Sequence, residues 1–203
     1  MKTSYWIVMI AWSVAAAASG QTPSPTQRPQ RPTFDCAKAS GEIEMMICKD
    51  PALIALDRRL ADVYARALKR LPAKVAAEQR TVQRGWLSDR NSCADEDDPR
   101  ACTEVSYQMR IVELQIKSGQ LKVPKPVGYV CTGGDGQPLS VTFYTETEPR
   151  SAVITYGNDQ VIAFAARAAS GARYTTREVD FWEQQGEATL TWSGTRVTCK
   201  PAD

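Results

Sequence analysis

A chain of 203 residues with 43% hydrophobic and 24% charged side chains has room for two small domains and is too ordinary in composition for wholesale disorder. A net charge of +2 is too weak for a nucleic-acid footprint. The absence of histidine removes the usual general base near neutral pH and so argues against an enzyme, since carboxylates, lysine or tyrosine would have to carry any catalysis.

Residues 1–20 have the three parts of a secretory signal: Lys2, an apolar stretch from Tyr5 to Val14, and small residues from Ala15 to Gly20. Cleavage there predicts a periplasmic or secreted protein with no stable membrane insertion. The first cysteine, Cys36, lies well beyond the signal, so there is no lipobox cysteine to acylate. Residues 21–33 hold four prolines among Gln, Arg, Ser and Thr, a composition that reads as a tether rather than a core.

Residues 34–119 read as a helical domain. Asp50-Pro51 is an N-cap followed by proline at the first helical position, and Leu53, Leu56, Leu60, Val63, Tyr64, Ala67 and Leu71 recur at helical steps until Pro72. A second helix carrying Val75, Val82 and Trp86 should fold back antiparallel. Asp98-Pro99 repeats the start signal for a third, with Val105, Met109, Val112 and Ile116 on one stripe, ending near Gly119. Arg84 and Arg90 lie six residues apart and read as packing or solvent contacts. Asp95-Glu96-Asp97-Asp98 lacks the glycine and distal glutamate of a calcium loop and reads as a solvated cap.

After a linker at 120–127 the period becomes alternating. Leu139–Tyr144, Ala152–Tyr156, Gln160–Ala165, Val179–Trp182 and Ala188–Trp192 are strand-like runs separated by turn residues, so 128–203 should be an antiparallel β-barrel of about eight strands. The fold class is thus a small disulfide-linked all-α bundle followed by that barrel. This second part is mildly acidic, with 7 basic and 9 acidic residues from Pro124 to Asp203, which suits a basic protein partner.

Six cysteines in an exported chain read as three disulfides. Zinc is the weaker reading, because there is no histidine and no Cys-x-x-Cys, and neither a metal nor a cofactor is expected. Cys131 on the first strand and Cys199 on the last would meet where the sheet closes. Among Cys36, Cys48, Cys93 and Cys102, local pairing and cross-linking between the two regions both remain open.

The most informative segment is Ser170-Gly171-Ala172-Arg173-Tyr174, followed by Phe181-Trp182 and Glu187-Ala188-Thr189-Leu190 and framed by Tyr129-x-Cys131 and Cys199. On these residues, 128–200 resembles the membrane-bound and periplasmic inhibitors of c-type lysozyme (the MliC/PliC family). The helical half is similar to the N-terminal domain of the LprI lysozyme inhibitor lipoproteins through Phe34-Asp35-Cys36, Ile47-Cys48, Asp50-Pro51, Leu56-Asp57 and Gln83-Arg84-x-Trp86-Leu87-x-x-Arg90-x-x-Cys93.

The first resemblance implies a barrel that inserts its Ser170 loop into the cleft of a c-type lysozyme, where a hydroxyl meets the catalytic carboxyls. Gly171 would permit the tight loop, and Ala172, Arg173 and Tyr174 would support or flank it. The family usually has a lysine where this chain has Gln184, which donates hydrogen bonds but carries no charge. Without the flanking motifs, Ser-Gly would be only a turn. Trp182, Trp192, Phe143 and Phe181 read as core or barrel wall. The expectation is an exported, non-enzymatic inhibitor that protects the wall. The alternative is an envelope protein- or wall-binding module with lost or altered inhibition.

Overall fold

The computed structural model describes residues 31–202, so the signal segment and the tether up to residue 30 lie outside the described residues. Four helices come first: α1 (Glu42–Lys49), α2 (Pro51–Arg70), α3 (Ala73–Asn91) and α4 (Pro99–Lys117). The Asp50 carboxylate caps α2 by accepting from the Ala52 and Leu53 N–H groups, and Asp98 caps α4 by accepting from the Ala101 N–H. Arg100 then reaches Asp50 at 2.9 Å, which sets the two helix starts side by side. With Tyr107 bonded to Asp57 and Arg70 to the Gly119 carbonyl, α2 and α4 run in the same direction and pack on each other, and α3 runs antiparallel to them.

The face of α3 differs from the expected apolar stripe. Val82 is 44% exposed, while Ala76, Gln79 and Arg90 are buried. In α4, Val105 is 47% exposed, whereas Val112 of the expected stripe is buried together with Thr103, Tyr107, Arg110, Ile111 and Leu114. Two buried guanidiniums explain the rotation, because a buried charge must keep its partners. Arg110, 1% exposed, donates to Gln79, Gln83 and Glu113; Arg90, 3% exposed, donates to the Tyr107 hydroxyl, which donates on to Asp57. The buried face of α3 is therefore partly polar, and the buried face of α4 carries Arg110 among apolar residues. Arg90 also lies 5.6 Å from the ring centres of Trp86 and Tyr107. Arg84, by contrast, is exposed. Asp57 also accepts from the Thr33 N–H at 2.6 Å, which fixes the end of the proline-rich segment to α2.

The second part is a closed antiparallel barrel of eight strands, each paired with its sequence neighbour: β1 (Val127–Thr132), β2 (Leu139–Tyr144), β3 (Ser151–Tyr156), β4 (Asp159–Ala166), β5 (Ala172–Thr175), β6 (Val179–Gln184), β7 (Glu187–Trp192) and β8 (Thr195–Pro201). Alternation places Leu139, Val141, Ile154, Ala163, Tyr174, Phe181, Leu190 and Val197 inside. Cys131 and Cys199 are directly opposite on β1 and β8 and are bonded, so the covalent link sits at the closure. The helical disulfides are the local pairs, Cys36–Cys48 and Cys93–Cys102. Each half buries its own apolar cluster. Among the described residues no helix is long and apolar enough to cross a membrane.

Candidate functional site

The up-and-down path sends the β4–β5 loop and the β6–β7 turn to the same end of the barrel. Ser170 and Gly171 lie in that loop, and Gln184 is the last residue of β6. The turn after it, Gln185-Gly186, has φ values of 52° and 77°, the positive pair of a type I′ hairpin. That turn fixes where Gln184 stands, opposite Glu187.

The loop leans on this hairpin through three contacts. The Ser170 hydroxyl donates to Gln184 Oε1 at 2.8 Å, and the Trp182 indole N–H donates to the Ser170 carbonyl at 2.9 Å. Gly171 completes the seat: its φ is 70°, and a Cβ there would collide with the backbone carbonyl of Glu183. No other residue type fits both the angle and the space. The Gln184 amide N–H groups make no hydrogen bond among the described residues, and neither Ser170 nor Gln184 carries a charge.

The remaining expected residues divide by face. Arg173 is on the outer wall and forks onto Asp180 with bonds of 2.9 and 2.5 Å, and that carboxylate holds its guanidinium above its ordinary value. Tyr174 is 4% exposed and packs inside against Phe143, so it supports the loop from the core. Burial, then the Glu183 carboxylate, pushes the Tyr129 hydroxyl up; it remains a neutral donor to Glu183 at 3.2 Å. Ala172 is exposed at the start of β5.

Trp182, read from the sequence as core or barrel wall, instead clamps the Ser170 carbonyl from the outer face, and Arg167 was not singled out at all. The signal for Trp182 was present, since period two puts Asp180, Trp182 and Gln184 on one outer face. Arg167 is exposed in the same loop as Ser170, and it has no ion pair among the described residues. Also among the described residues, no group of three or more Cys, Asp or Glu side chains could hold a metal ion. Asp95 to Asp98 are exposed, with Asp98 spent on capping α4.

The barrel is closed by a disulfide, and its β4–β5 loop is braced against the β6–β7 hairpin. Comparison with known proteins gives the class: residues 129–198 match the family described as membrane-bound lysozyme-inhibitor of c-type lysozyme, and residues 36–118 match the one described as lysozyme inhibitor LprI. Proteins named Lipoprotein LprI from Mycobacterium bovis and from two strains of Mycobacterium tuberculosis are each 34% identical over 197 residues, covering 96% of this chain and 98% of theirs. The chain belongs to the LprI family of lysozyme inhibitors. No solved structure matches it.

Proposed function

We propose that this protein is an exported inhibitor of c-type lysozyme that inserts its Ser170 loop into the enzyme's cleft and so protects the bacterial wall from host lysozyme. The observation that carries the reading is the bracing of the loop by Gln184, Trp182 and the Glu183 backbone. A loop already held in its bound shape loses little entropy on docking. A lysozyme cleft holds one protonated and one ionised carboxyl, and the Ser170 and Gln184 groups can accept from the first and donate to the second. Arg167 adds the positive charge that Gln184 lacks. The protein itself does no chemistry in this reading, and its place is the periplasm or the medium.

Purified mature protein added to a c-type lysozyme on cell walls should lower the rate stoichiometrically. Ser170→Asp puts like charge beside the ionised carboxyl and should weaken inhibition by at least about a hundredfold. Unchanged potency would assign inhibition to another surface. Gln184→Lys replaces a neutral bond by a charge-assisted one and releases the serine proton, so affinity should rise about tenfold.

A further inference from the structure

The end of the barrel opposite the Ser170 loop carries a second built feature. There the β1–β2 loop, the β3–β4 turn and the β7–β8 turn enclose a cleft of about 300 Å³. Its aromatic wall is the half-buried Trp192, backed by the buried ring of Tyr156, with ring centres 5.8 Å apart and planes tilted by 39°. Around them stand Asp135, Gln137, Asn158, Asp159 and Ser193.

The aromatic wall is held in place. The Tyr156 hydroxyl donates to Asp135 at 2.6 Å. Gly134 lets the loop lie against this pair, since a Cβ there would be 3.1 Å from the Tyr156 oxygen and would press on Val197. The bond from Tyr156 keeps the Asp135 carboxyl below its ordinary value, so it is an ionised acceptor near neutral pH. No hydrogen bond among the described residues engages the side chains of Gln137, Asn158, Asp159 or Ser193.

An aromatic face beside planar amides and carboxylates is what a pyranose ring requires. The apolar C–H face of the sugar packs on the Trp192 ring, and its hydroxyls donate to carboxylates and exchange bonds with amides. The volume sits at the small end of ligand sites, which matches one ring rather than an extended chain. Two carboxylates with no cation in the lining disfavour an anionic ligand, and they are too few to cage a divalent cation.

We propose that this cleft binds one neutral sugar ring of a glycan, so that the barrel engages a saccharide at one end and a protein at the other. The site stands apart from the Ser170 loop and does not depend on the reading of that loop. Titration of the mature protein with the trimer of N-acetylglucosamine, and separately with the trimer of glucose, tests it by backbone and indole NMR shifts. Saturable shifts of the Trp192 indole and of residues 157–159 with either sugar support the proposal.

Asp159→Ala and Asn158→Ala, both exposed and remote from the core, should each weaken binding about tenfold or more, and inhibition of lysozyme should remain unchanged. Trp192→Ala should abolish binding. Because Trp192 packs on the barrel, the two exposed variants carry the test if it fails to fold. No shift at about 10 mM sugar overturns the proposal, and so do shifts that survive all three substitutions. Calcium moving the same resonances where sugar moves none overturns it as well. Loss of lysozyme inhibition is read in a separate assay and bears only on the loop.

Discussion

The bundle and the barrel solve the same problem, a small core in an exported chain, by opposite means. In the bundle the disulfides close short loops, with partners 12 and 9 residues apart, and the interior holds Asp57, Gln79, Arg90 and Arg110. In the barrel one disulfide spans 68 residues and the interior cluster is apolar. A helix satisfies its own backbone, so the bundle can spend side chains on buried polar links between helices. A sheet must pair every edge, so the barrel's critical contact is the long-range one that joins its first strand to its last.

The comparison is broken most easily at the closure. Replacing Cys131 and Cys199 by serine should cost the barrel about 4 kcal/mol in the chain-entropy picture, against about 2.5 kcal/mol for the same change at Cys93 and Cys102 in the bundle. Urea unfolding followed by helical ellipticity and by barrel tryptophan fluorescence separates the two losses. Equal costs would mean that loop length does not govern them.

Next in size is Arg90→Met. It leaves the buried Asp57 carboxylate without the cation that Tyr107 links to it, and it should destabilise the bundle by about 3 kcal/mol with the barrel transition unmoved. A neutral outcome would show that the buried polar links are replaceable by apolar packing.

Asp50→Ala is the smallest and sharpens the picture by pH. Burial raises the Asp50 carboxyl, but the Leu53 and Ala52 N–H groups and Arg100 outweigh it, so its value lies below the ordinary 3.8. A lowered folded value means that its contribution is complete above about pH 4 and vanishes as pH falls through the folded value. The variant should lose about 1 kcal/mol of bundle stability at neutral pH and almost nothing in strong acid, as measured by urea midpoints across that range.

The reach of the sequence differs between the halves for the same reason. In the barrel, alternation and turn residues marked five strand runs to within two residues of their ends, because period two follows directly from one buried face. In the bundle, the caps at Asp50-Pro51 and Asp98-Pro99 placed two helix starts, and Trp86 and Val112 of the expected stripes do meet the core, yet Val82 and Val105 point outward. Hydrophobic periodicity cannot see a face built from Gln79, Arg90 and Arg110, whose burial depends on partners in other helices. At the loop, Ser170, Gly171 and Gln184 were legible from the motif. Their mutual bond and the clamp from Trp182 were not, because each joins residues 12 or 14 positions apart.

By itself the sequence determined the two-part architecture and five of the barrel's strand runs, since periods, caps and turn residues are local properties of the chain, and its motif pointed to the Ser170 loop. Only the tertiary structure decided the pairing of the helical cysteines, the polar face of α3, the inward position of Tyr174 and the cleft around Trp192. Those depend on which distant segments come to lie together, and proximity across the fold leaves no periodic mark in the chain.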